Sequence, residues 1–123
     1  MKIGWLSLAL LTTGCVGIGA LAPDYAIGSY RGAVIARGAC AAPGADLTVS
    51  IGPSSASGDL YFEQQNIRAR FGDGWVDDAG FLSSRRTPDG MEYVSGYFVD
   101  NGAALDATID TRTCTYAGTL VRV

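Results

Sequence analysis

From Ile27 onward the chain alternates apolar and polar residues in short runs, and no window repeats convincingly at helical spacing. The clearest run is Ala104 to Asp110, where Leu105, Ala107 and Ile109 share one face and Asp106, Thr108 and Asp110 the other. A period of two is the signature of a strand with one buried side. The same phase groups Leu47, Val49 and Ile51, then Leu60 with Phe62, then Ile67, Ala69 and Phe71 opposite Arg68 and Arg70. Turn signals separate the runs at Pro43-Gly44, Ser57-Gly58, Gly72-Asp73-Gly74, Pro88-Asp89-Gly90 and Asp100-Asn101-Gly102, and Pro53 to Gly58 reads as a flexible, serine-rich connection. Spacing of this kind predicts about eight strands, each joined to the next by a short turn. The fold class is all-β: a small antiparallel up-and-down barrel, or a two-sheet sandwich, whose first and last strands are joined by a disulfide.

The two ends of the domain carry the same local form, Tyr30-Arg31-Gly32-Ala33-Val34 and Tyr116-Ala117-Gly118-Thr119-Leu120. If these two strands pair antiparallel with Cys40 opposite Cys114, then Gly38 faces Tyr116, Ala36 faces Gly118 and Val34 faces Leu120. Both cysteines lie an even number of residues from the apolar positions of their strands, so both sulfurs fall on the core side. A bridge between them closes a long loop, contributing roughly 4 kcal/mol in the chain-entropy account.

The first 22 residues read differently. Lys2 is followed by an uncharged run from Ile3 to Ala22, the n-region and h-region of an export signal. A spanning helix is the competing reading, weakened by Gly14, Gly17 and Gly19. Two processing sites compete. Ala20-Leu21-Ala22 has the small-x-small form but is followed by Pro23; Leu11-Thr12-Thr13-Gly14-Cys15 looks like a permissive lipobox, which makes Cys15 the lipidation candidate. Either cut leaves Cys40 and Cys114 as the remaining pair of the three cysteines. The expectation is a signal peptide over 1–22 of secretory or lipoprotein type, one domain over 23–123, and a location in the periplasm or on the outer membrane through a lipid.

Composition narrows the chemistry. There is no histidine, and Lys2 is the only lysine, so the processed domain lacks an imidazole base, an imidazole metal ligand and a Schiff-base amine. Twelve acidic residues against nine basic ones leave no basic stripe for nucleic acid. No Gly-x-Ser-x-Gly elbow occurs. The expectation is a protein that is not an enzyme, with no catalytic residue, no metal and no cofactor. The one catalytic alternative rests on carboxylates alone, from Glu63, Asp73, Asp77, Asp78 and Glu92.

Candidate binding residues gather in one stretch. Asp73, Asp77 and Asp78 surround Gly74-Trp75-Val76 as an acidic hairpin turn whose spacing does not fit a calcium loop. Arg85 and Arg86 precede a Thr-Pro-Asp-Gly turn and suit recognition of a carboxylate or phosphate. Among the aromatics, Trp75 is expected at a loop rim, Phe81 in the core, and Tyr93 with Tyr97 on the buried phase of a strand. Trp75, Asp77, Asp78, Arg85 and Arg86 are therefore the partner-binding candidates.

Subtraction leaves a non-catalytic envelope protein that binds another envelope or secreted protein through its loops, with inhibition of a secreted hydrolase as the finer reading. A lipocalin-like carrier of a small apolar ligand and a structural envelope lipoprotein are the alternatives. Ser95-Gly96-Tyr97 resembles the Ser-Gly-x-x-Tyr element of periplasmic lysozyme inhibitors over three residues, but the spacing differs and an early Tyr-x-Cys is missing. The chain is not placed in that family.

Overall fold

A computed structural model describes residues 21–84, 93–111 and 114–123. Residues 1–20, with the lipidation candidate Cys15 and most of the expected signal peptide, and the stretch holding Arg85, Arg86 and Glu92, lie outside the described residues.

Eight strands close into one antiparallel barrel in simple chain order: β1 (Gly28–Arg37), β2 (Gly44–Ile51), β3 (Ala56–Phe62), β4 (Ile67–Val76), β5 (Phe81–Ser84), β6 (Tyr93–Val99), β7 (Ala104–Asp110) and β8 (Thr115–Arg122). β1 pairs with both β2 and β8, so the sheet closes and the sandwich alternative falls away. Tyr30, Val34, Leu47, Val49, Ile51, Leu60, Phe71, Val76, Leu82, Val94, Leu105, Ile109, Tyr116 and Leu120 fill the interior. Small barrels of this strand number are normally packed in this way. Ile67 shares that phase but sits at an open mouth, 54% exposed.

The closing seam differs from the expected register by two residues. Ala36 faces Tyr116 and Ile35 faces Ala117, so Gly118 comes opposite Val34 and Gly32 opposite Leu120. Each glycine lies against the other strand's aliphatic residue. A Cβ on Gly118 would stand 3.1 Å from the Val34 Cα, and one on Gly32 3.1 Å from the Leu120 Cα. Side chains tighter than glycine allows would therefore push the seam apart. Cys40 and Cys114 are not a cross-strand pair, because β1 ends at Arg37 and the backbone turns away at Gly38, φ +95°. The disulfide instead ties the β1–β2 loop to the residue just before β8, with Cα atoms 6.0 Å apart.

The two related tyrosines plug opposite ends. Tyr30 Oη donates to Ala26 O at 2.9 Å, in the single 3₁₀ turn (Asp24–Ala26) that precedes β1. Tyr116 Oη donates to Ala42 O at 3.0 Å, in the loop that carries Cys40. Burial pushes both phenols above their ordinary pKa of 10.0; for Tyr30 the nearby Arg122 opposes the shift without cancelling it. A raised folded pKa means that the folded state holds these protons longer than the unfolded chain does. The stability they contribute is complete below pH 10.0 and falls as pH rises through the folded values. In urea titrations the unfolding midpoint is thus expected to drop on going from about pH 9 to about pH 11. A midpoint unchanged across that window would contradict buried, protonated phenols.

β4 contains the local feature that matters for the site. Ala56 faces Gly74 while Gly58 faces Phe71, so β4 carries one extra residue there, with Asp73 in the left-handed region at φ 53°. Gly72-Asp73-Gly74 is thus a bulge inside a strand rather than a turn between strands. Ser57-Gly58, likewise read as a turn, lies within β3. The turn that joins β3 to β4 is Glu63 to Asn66, closed by Asn66 N donating to Glu63 O at 3.2 Å. It contains neither glycine nor proline, the residues that usually mark a turn.

Candidate functional site

The bulge reverses the phase of β4. Up to Phe71 the odd-numbered residues point inward; after it Gly74 and Val76 are buried and Trp75 faces out, half-buried. Trp75 is therefore on the outer wall of a strand rather than at a loop rim. Across the sheet it faces Ser83, which faces Ser95, which faces Thr108, which faces Ala117. A row of small, mostly hydroxylated residues thus runs away from the indole.

Two residues nearer the Tyr30 end, Phe81 faces Tyr97 and Tyr97 faces Asp106. Phe81 is 53% and Tyr97 49% exposed, with ring centroids 6.4 Å apart in an edge-to-face pair. Both aromatics were expected in the core. In β6 the inward phase belongs instead to Val94, Gly96 and Phe98, which leaves Tyr93, Tyr97 and Val99 outside. In β5 Leu82 and Ser84 are buried, and the Ser84 hydroxyl accepts from Val94 N at 2.8 Å.

The outer positions of β5 and β6 are Phe81, Ser83, Tyr93, Ser95, Tyr97 and Val99, without a charge among them. β3 and the first half of β4 are different: Asp59 is shared by Arg70 at 3.0 Å and Arg68 at 3.6 Å, and Arg68 lies over the Tyr61 ring. The barrel surface therefore passes from a charged, internally paired stretch on β3 and early β4 to an aromatic, uncharged one on β5 and β6. Against the latter lies an open concavity of about 760 Å³, lined by the outward row Ser83, Ser95, Thr108 and Ala117, with Phe81, Tyr97 and Arg37 also in its lining. The Asp106 carboxylate forms part of its wall and accepts from Thr119 Oγ1 at 2.6 Å. Tyr97 faces the same carboxylate across the β6–β7 pairing, and interaction with it raises the Tyr97 pKa above 10.0.

The acidic candidates separate. Asp77 is consumed by the β4–β5 turn: its Oδ1 accepts from Ala79 N at 2.9 Å and Phe81 N at 3.0 Å, and its carbonyl accepts from Gly80 N. It shapes the hairpin that presents Phe81. Asp78 is exposed at the tip of that turn, and Asp73 at the bulge. Glu63 sits in the β3–β4 turn, at the opposite end of the barrel from Asp77 and Asp78. Among the described residues no three His, Cys, Asp or Glu side chains converge as metal ligands, and no helix is long and apolar enough to cross a membrane. Of the residues proposed for partner binding, the structure brings Trp75 to the aromatic side and Asp78 to its edge. Phe81, Tyr97 and Asp106 were not anticipated there.

Fold and surface together define a closed, side-chain-filled antiparallel β-barrel with an aromatic, charge-free outer wall. No protein-family model, curated protein or solved structure matches the chain, so this surface stands on its own geometry.

Proposed function

We propose that the chain is a non-catalytic exported protein that binds another protein, and that the contact surface is the outer wall of β5 and β6 with Trp75, rather than the loops alone. One observation carries this: a contiguous aromatic and serine surface without charge on β5 and β6, next to a stretch of β3 and β4 whose charges pair internally. The core of a protein interface is depleted in charge and enriched in Trp, Tyr and Phe. Tyrosine and tryptophan also supply contact area at small entropic cost, with serine and glycine as adaptable neighbours. The disulfide fits an oxidising compartment, in keeping with export. Inhibition of a secreted hydrolase is the finer form of the proposal, with Arg85 and Arg86 following directly on β5 in the chain. A carrier role is less well supported, because large side chains take up the barrel interior.

The test is affinity capture from envelope and secreted fractions with the disulfide-bonded chain, followed by mass spectrometry of what is retained. A single enriched protein is expected, lost on combining Trp75→Ala, Phe81→Ser and Tyr97→Ser and kept by an Arg70→Gln variant, which lies in the first half of β4 and outside that surface. Substitutions at exposed positions such as Phe81 and Tyr97 usually change stability by less than about 0.5 kcal/mol, and an unchanged amide spectrum of the combined variant shows that replacing half-buried Trp75 leaves the barrel folded, so that a loss of capture reports the surface. No specific protein across salt conditions, or equal capture by all variants, would overturn the proposal.

A further inference from the structure

Among the described residues the aromatic wall has one acidic neighbour inside the concavity, Asp106, and its placement specifies more than a generic contact. Asp106 projects outward from β7 between Tyr97 of β6 and Thr119 of β8. The Thr119 hydroxyl donates to its carboxylate at 2.6 Å, and Tyr97 stands opposite it on β6. The bond from Thr119 fixes the group without exhausting it, since a carboxylate has about four acceptor directions. It makes no salt bridge with any described arginine; both ion pairs of the described residues involve Asp59. Arg37, the one cation among the described residues that line the concavity, is paired with Thr115 at the start of β8.

A fixed carboxylate beside two half-exposed aromatic rings is complementary to an organic cation. The carboxylate accepts its N–H groups, and the ring faces attract its charge and cover its alkyl stem. Small outward residues, Ser83, Ser95, Thr108 and Ala117, leave room for an extended side chain to lie flat. The hydroxyls of Ser83, Ser95 and Thr108 offer further acceptors nearby. We propose that the concavity is a recognition site for a lysine or arginine side chain of the protein partner, with Asp106 as the anion and Phe81 and Tyr97 as the aromatic walls. This rests on the reading of the β5–β6 wall as a protein-binding surface and deepens it: the partner's contacting segment is basic at this point.

The site can be tested without the partner. The full-length, disulfide-bonded chain, labelled with ¹⁵N, is titrated with the N-acetyl methylamides of lysine, arginine, norleucine and glutamate, and amide shifts are followed. The lysine and arginine compounds are expected to shift the amides of Ser95, Tyr97, Asp106 and Thr119, with norleucine and glutamate far weaker. Asp106→Asn should weaken the cation response about tenfold, the loss typical of one hydrogen bond to a charged group. Asp110→Asn, four residues further along β7 and outside the concavity lining, should leave it unchanged. If norleucine shifts the same amides as strongly as lysine, the cation specificity is wrong while the wall remains a binding surface. If none of the four compounds shifts them, the recognition site is overturned, and the capture experiment with the Trp75, Phe81 and Tyr97 variants decides the broader reading separately.

Discussion

Replacing both Cys40 and Cys114 with serine is expected to lower the unfolding free energy by about 4 kcal/mol relative to the disulfide-bonded chain. The bridge spans 74 residues of sequence and encloses β2 to β7 entirely. Those are the strands that must be laid side by side before β8 can meet β1. Without the bridge, the closing β1–β8 seam is the most non-local pairing in the molecule, and the unfolded chain regains the entropy of an open loop of that length. Because both cysteines lie just beyond the paired segments, the native barrel should still form in the variant. Its amide spectrum should change only around residues 38–43 and 111–114, where Tyr116 Oη meets Ala42 O and Thr111 N meets Cys114 O. Urea unfolding of the two proteins side by side measures the difference. A loss below about 1 kcal/mol would mean that the unfolded chain is already compact enough to hold its ends together, or that the seam is stabilised by other means.

Most of the barrel was legible in the period of two. In β7 nothing disturbs the alternation, and Leu105, Ala107 and Ile109 are buried as the pattern requires. The paired Tyr-x-Gly-x-aliphatic segments pointed to β1 and β8 as neighbours, and they are. Their register was missed by two residues because the cysteines were taken as strand positions, whereas the pairing is set by each glycine accepting the partner's aliphatic residue. No composition rule distinguishes those two registers, since both keep every side chain on its proper face.

The site was the least legible part, for a related reason. In β4 a one-residue bulge flips the phase between Phe71 and Gly74, and the Gly-Asp-Gly that marks it has the composition of a turn. Read as a turn, it removes Trp75 from the strand and hides the row that runs from Trp75 to Ala117. In β6 both phases contain large apolar residues, Val94 and Phe98 on one and Tyr93 and Tyr97 on the other. Hydrophobicity alone could not choose between them. The deciding signal was Gly96: a glycine sits inward where strands approach closely, and a Cβ there would stand 3.2 Å from the Ala107 Cα. Asp106 was visible as a polar position of β7, but its meeting with Tyr97 and Thr119 depends on cross-strand register.

The second large effect is expected at Arg122, the last residue of β8. Its guanidinium gathers four acceptors from three separate segments. Nε donates to Gly102 O at 2.9 Å, one terminal nitrogen to Ile27 O at 2.7 Å, and the other to Tyr25 O and to Tyr30 Oη, the latter at 2.6 Å. The group also lies over the Tyr30 ring at 4.9 Å from its centroid. It thereby holds the 3₁₀ turn of Asp24–Ala26 and the β6–β7 turn against the barrel mouth, where Phe98 packs on Tyr25 and Tyr30. Arg122→Met keeps the stem and removes every donor. Hydrogen bonds to a charged group contribute about 1.5 to 3 kcal/mol each, but the mouth is open enough for water to replace some of them, so the expected loss is about 2 to 4 kcal/mol. Arg122→Lys should recover little of it, because a single ammonium cannot reach carbonyls arranged around a planar fork. Hydrogen exchange separates a local role from a general one. The amides of Ala26 and Ile27, bonded to Pro23 O and Asp24 O, should lose protection first, while those at the disulfide end keep theirs until global unfolding. Equal stability of the three proteins with unchanged exchange at Ala26 and Ile27 would show that the mouth is closed by apolar packing of Tyr25, Tyr30 and Phe98, with the arginine merely resting on it.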